Sequence, residues 1–128
     1  MAVGALLAGS GVLAGALGAH ALESSIPADR LASFELAAHY HLLHGIAIVG
    51  IAGGMSHFDK RRLGWACWTL VAGTVTFAGA LYLLSLTGDT GWATMAPVGG
   101  ALLLAGWLLV LAGARKVARH SPPDQATH

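Results

Sequence analysis

The sequence predicts an all-α integral membrane protein: a four-helix bundle with antiparallel neighbours and both termini in the cytoplasm. Three observations predict it. Of 128 residues, 55% are hydrophobic and only 10% charged, and the mean hydropathy is +0.67. Soluble domains carry about 25% charged residues, so most of this surface is expected to meet lipid. The apolar residues also fall into four runs, each near or above the roughly 20 residues a helix needs to cross about 30 Å of hydrocarbon. Finally, the runs are long and uniformly apolar, whereas barrel strands would be about 10 residues long and alternate in polarity.

The first run, residues 2–22, contains no charge. Ala19-His20-Ala21 has the form of a signal-peptidase site. However, no Lys or Arg precedes the run, and it is longer than the usual ~7–15 residue signal core. A retained first helix is therefore expected. The second run is read as a helix over 27–55. Pro27 opens it where a missing N–H costs no hydrogen bond, Ser25 is its expected cap, and Asp29 suits the positive end of the helix dipole. Such a helix is about 43 Å long at 1.5 Å per residue, which places its first two turns in the outer headgroup zone. The third helix is expected over 63–86. The fourth is expected over 97–114, opened by Pro97. Short connections make successive helices antiparallel neighbours. Residues 115–128 read as a basic juxtamembrane segment followed by a disordered tail, polar and proline-containing from Ser121 to His128.

Charge sets the expected orientation. Lys60, Arg61, Arg62, Arg115, Lys116 and Arg119 lie on one side, and only Arg30 on the other. The positive-inside rule places the richer side, with both termini, in the cytoplasm. Trp65 and Trp68 then fall near the inner interface and Trp92 near the outer one.

Composition also excludes function classes. Nucleic-acid binding needs a basic face, and 7 Lys and Arg split between short segments do not make one. The single Cys67 cannot form an internal disulfide. No nucleophile elbow, no phosphate-binding glycine loop and no His-Glu-x-x-His metal signature occurs. The expectation is a protein that is not an enzyme and has no dedicated metal or cofactor.

Helices in lipid associate through close contact of small residues. The candidates are Gly11 and Gly15 in the first helix, Gly50 and Gly54 in the second, and Ala72, Thr76 and Ala80 in the third. The fourth has Gly99, Gly106 and Gly113 seven apart, which is one face of a tightly packed helix. Packing inside one bundle is the favoured use of these faces, and docking of another chain is the other.

One cluster breaks the apolar pattern. His39, His41 and His44 share a span with Glu35 and Tyr40. Ionisable groups at bilayer depth are costly and usually face protein, water or a partner. Glu35 falls at the outer edge, His39 about 6 Å further in, and His44 near the middle. His20 and Tyr82 reach the same outer layer. His20, Glu35, His39, Tyr40, His41 and Tyr82 are thus expected to share an outer-leaflet polar region, with His44 beneath. Helical phase divides it: Glu35 and His39 share one face, His41 and His44 another.

Four readings of the cluster stand. Neutral histidines bond to neighbouring helices while Glu35 snorkels to the headgroups. Haem or metal is ligated, with His20 and either His39 or His41 as a pair. Protons or a solute pass along Glu35, His39 and His44. Or the cluster docks onto a larger membrane complex.

The motifs Gly15-Ala16-Leu17-Gly18-Ala19-His20-Ala21-Leu22, Phe34-Glu35 through Tyr40-His41-Leu42-Leu43-His44-Gly45, Gly79-Ala80-Leu81-Tyr82, and Pro97-Val98-Gly99-Gly100 through Gly106-Trp107 stand in this order along the chain. In them the sequence resembles the YgdD-like family of small membrane proteins of unknown function, which includes the animal transmembrane protein 256 group. The resemblance implies a four-helix protein of the bacterial inner membrane. It supplies no activity, cofactor or catalytic residue. Four positions depart from the family pattern. Ala96 stands where the family usually has Thr, with Thr94 as a substitute cap. Ala78 and Ala80 stand where serines are frequent. His39 stands where Arg or Gln is frequent.

The expected function is a structural or accessory inner-membrane protein in the lipid bilayer, as a homo-oligomer or within a larger complex. The alternatives are a small proton or solute carrier using the His/Glu layer, and a haem- or metal-binding membrane protein.

Overall fold

The computed structural model describes residues 1–55 and 58–118. These form four long helices: α1 (Ala2–Leu17), α2 (Ala28–Gly54), α3 (Lys60–Thr87) and α4 (Ala96–Ala118). All four are long and apolar enough to cross a membrane, α1 together with the turn that follows it (Ala2–Leu22). Gly18–Leu22 extends α1 as a π-helical turn, and Thr90–Met95 forms 3₁₀ turns before α4.

Local chemistry explains most of the boundaries, and several differ from expectation. Pro27 is the residue before α2 rather than its first residue, with ψ 148°. Ser25 does not cap α2: its Oγ donates to the Ala21 carbonyl at 3.0 Å, within the π turn. α3 begins at Lys60 because Asp59 caps it, accepting from the Arg61 and Arg62 N–H groups at 3.2 and 3.3 Å. It ends at Gly88, whose φ of +75° puts it in the left-handed region that glycine tolerates. Thr94 does not cap α4 either, because its hydroxyl donates to the Gly91 carbonyl at 2.8 Å. α4 continues to Ala118, beyond the expected end at residue 114 and into the basic juxtamembrane segment. Arg119 and the expected tail, Ser121 to His128, lie outside the described residues.

The helices pack in chain order, α1 on α2, α2 on α3 and α3 on α4. The pairings run antiparallel. Gly4 lies against Val49, Gly11 against Leu42 and Gly18 against Phe34. Across α3 and α4, Gly99 lies against Phe77, Gly106 against Leu70 and Gly113 against Leu63. Both outer helices therefore dock through glycines seven apart. Seven residues bring an ideal helix back to within about 20° of the same face, so such a stripe tracks one neighbour.

This seam separates the expected packing glycines. A Cβ at Gly11 would lie 2.7 Å from the Leu42 backbone nitrogen, one at Gly106 would lie 2.6 Å from Leu70, and one at Gly99 would overlap the Phe77 backbone. Gly15 and Gly50 meet nothing within 4 Å, and Gly54 meets only the Phe58 ring at 3.7 Å. Four-residue spacing turns the second glycine of each pair about 40° off the seam, so Gly15 leaves the α2 contact. Gly45 instead abuts the Ala8 backbone, and Gly73 lies against Leu103.

The core lies along the α2–α3 axis. Ala37, Ala78 and Leu81 form one buried cluster. Ile48, Leu70 and Leu103 join α2, α3 and α4 in a second, with Leu7 of α1 packed against it.

Candidate functional site

The polar residues of α2 divide as helical phase requires. His44 is buried, with 8% of its surface exposed, and His41 is half-buried. Glu35 and His39 are exposed on the lipid-facing side of the same helix.

His41 is a hub. Its Nδ1 lies 3.3 Å from the Tyr82 hydroxyl on α3, and its Nε2 lies 3.3 Å from Ser10 Oγ on α1. Ser10 Oγ also lies 2.7 Å from the Leu6 carbonyl, which takes its proton. It therefore accepts from His41 Nε2–H, and His41 Nδ1 accepts from the Tyr82 hydroxyl. One neutral imidazole thus joins three helices.

His44 completes the set. Its Nδ1 lies 2.8 Å from the Tyr40 carbonyl, and its Nε2 accepts from the Trp107 indole N–H on α4 at 3.3 Å. A carbonyl only accepts and an indole only donates. The proton must therefore sit on Nδ1, and both nitrogens are engaged. Between them, the two inward histidines tie α2 to all three other helices.

Aromatic rings surround this pair. Tyr40 stacks on His44 with centroids 5.7 Å apart and tilts against Phe77 at 4.8 Å. Phe34 meets Tyr82 at 4.8 Å. Beside them, between α2 and α4, opens a groove of roughly 740 Å³ floored by Phe77 and bordered by Tyr40, His44, Gly100 and Trp107. The groove exists because α2 and α4 both pack on α3 rather than on each other.

The sequence-predicted residues are therefore not gathered in one layer. Tyr40, His41, His44 and Tyr82 meet within the bundle. His20 is exposed on the π turn after α1. Among the described residues, His20, Glu35 and His39 form no hydrogen bond or ion pair with any other side chain. No group of three or more His, Cys, Asp and Glu side chains that could hold a metal occurs among the described residues. A path through Glu35, His39 and His44 has no continuity, because the first two face out and the third faces in. Of the residues expected to pair on a haem, His20 and His39 are exposed, and His41 has both ring nitrogens engaged.

Sequence reasoning missed three partners. Ser10 is the lone polar residue in the middle of α1. Trp107 lies at mid-span in α4, away from the interfaces where tryptophan gathers, and that position is the signal it carried. Arg30 donates through Nε to the Ser85 carbonyl at 2.7 Å and lies against Gly88, closing the C-terminus of α3.

The comparisons agree with this architecture. Residues 14–100 match a family described as a protein of unknown function (DUF423). A UPF0382 membrane protein of Staphylococcus saprophyticus is 37% identical over 90% of this chain and 95% of its own. The UPF0382 inner membrane protein YgdD of Escherichia coli K12 is 38% identical over 84% of this chain and 82% of its own. No solved structure matches the chain. The chain is thus a four-helix protein of the bilayer, and it belongs to the DUF423 family of uncharacterised UPF0382 membrane proteins.

Proposed function

We propose that the protein is a non-enzymatic structural or accessory component of the inner membrane that works as a homo-oligomer. The observation that carries this reading is the exposed Glu35/His39 pair. α2 is about 40 Å long, so centring it on about 30 Å of hydrocarbon leaves Glu35 about 5 Å and His39 about 11 Å inside. Groups of this kind at that depth almost always face a protein partner or a cavity. The inward histidines support the same reading, because their ring nitrogens are already engaged in holding helices together.

A second copy of the chain suits the face. Two copies related by a two-fold axis along the membrane normal present the same surface to each other. Glu35 of one chain then comes within a helical turn of His39 of the other, and each finds a complementary group.

Native mass spectrometry from lipid nanodiscs tests this. The wild-type protein should appear as an oligomer, and the Glu35→Gln/His39→Leu variant should shift toward monomer. A wild-type protein that is monomeric at every loading would overturn the proposal.

A further inference from the structure

We propose that the α2–α4 groove is a binding site for a lipid-soluble planar carbonyl compound with a hydrocarbon tail, the chemistry of a prenylated quinone. This goes beyond the oligomeric reading and uses the face of α2 that adjoins Glu35 and His39 through Leu43 and Ile46.

Depth is the first argument. The groove wall on α2 runs from Tyr40 to Ala47. Residue 41 is the midpoint of α2, so this wall stays within about 9 Å of mid-span. A phospholipid keeps its charged headgroup at the interface and could place only an acyl chain here. An occupant that presents a polar atom at this depth must be soluble in hydrocarbon as a whole.

Shape is the second. At roughly 740 Å³ the groove has the size of a small-molecule site. Its lining carries a run of rings: Tyr40 on His44 at 5.7 Å, Tyr40 on Phe77 at 4.8 Å, and His44 on Trp107 at 6.1 Å. Flat π faces favour a planar ring over a flexible chain. Leu104 on the rim is 69% exposed, so the site opens directly to lipid and a tail can lie along it.

The third argument is the polar inventory. His44 has both nitrogens engaged, and Trp107 has given its only N–H to His44. The Tyr40 hydroxyl is the lining side-chain group that forms no hydrogen bond, and Tyr40 is 36% exposed. A phenol in hydrocarbon lacks water and normally finds a partner. One donor beside a ring-lined groove matches one carbonyl oxygen on a flat apolar ligand.

Gly100 supplies a clean test, because a Cβ there meets nothing within 4 Å and would project into open space. Gly100→Leu should fill the groove without disturbing a backbone contact. The protein carries Trp65→Phe, Trp68→Phe and Trp92→Phe, so that Trp107 alone fluoresces. It is placed in nanodiscs of one phosphatidylcholine and titrated with a decyl-substituted benzoquinone. We expect saturable quenching of Trp107, its loss in Gly100→Leu, and about fivefold weaker binding in Tyr40→Phe, the effect of one hydrogen bond. Circular dichroism should show Gly100→Leu as helical as the wild type. Quenching that rises linearly and identically in wild type and Gly100→Leu overturns the proposal. So does a retained phospholipid, or a second chain cross-linked into the groove, that the quinone does not displace.

Discussion

The Trp107 indole on α4 donates to His44 Nε2 on α2 at 3.3 Å, linking two helices that otherwise associate through α3. The relationship is directional. Indole can only donate, so it selects one tautomer of the imidazole, and the Tyr40 carbonyl at 2.8 Å selects the same one. Interhelical hydrogen bonds in membranes contribute about 0.6 kcal/mol on average and up to about 2. Trp107→Phe keeps the apolar bulk and removes the donor. It should lower stability by an amount in that range, measured by reversible unfolding in mixed detergent micelles. No loss would show that the bond contributes nothing to the fold.

The His41 hub makes a coupled prediction. Tyr82→Phe removes one arm and Ser10→Ala the other, and each should cost about 0.6 kcal/mol. With His41→Leu in place, either change should have almost no further effect. A double-mutant cycle reads this coupling directly. Full additivity would mean the three side chains act separately.

The glycine seam separates positions that look alike in sequence. Gly99→Ala should destabilise by about 1–3 kcal/mol, because its Cβ would overlap the Phe77 backbone. Gly50→Ala has open space around it and should leave stability unchanged or raise it by up to about 1 kcal/mol. The same unfolding assay compares them. Equal effects would remove the seam from the account of packing.

Arg30 closes the far end of α3. Its guanidinium donates at 2.7 Å to the Ser85 carbonyl, one of the last groups of the helix with an otherwise unfilled acceptor. Arg30→Gln should cost about 1.5 kcal/mol, the lower end for a charged hydrogen bond. It should also speed hydrogen exchange at Thr87 to Asp89 while leaving Leu63 to Leu70 protected. Unchanged exchange at the turn would contradict the capping role.

Sequence reading and structure agree on the scale of helices and part at the scale of side chains. Four long apolar runs leave few choices, because a backbone in lipid must satisfy its own hydrogen bonds. Glycine faces were harder to assign. Gly11 and Gly15 look like a packing pair, yet the contact runs Gly4, Gly11, Gly18. A sequence displays every small-residue periodicity at once, and only the direction of a neighbouring helix selects among them. The phase split of Glu35/His39 from His41/His44 was legible, because it depends on one helix alone. The partners Ser10, Tyr82 and Trp107 stand on three other helices, and their meeting required the packing register.

Four membrane-spanning helices with antiparallel neighbours, and polar residues that face two ways, are written in the chain itself. Those properties follow from backbone hydrogen bonding and helical period, which are local. Helix packing is what lets His41 join α1, α2 and α3, brings His44 to α4 through Trp107, and opens a ring-lined groove beside them. These depend on the close glycine contacts that set each helix against its neighbour, and such contacts are fixed by distances of a few ångströms between residues far apart in the chain.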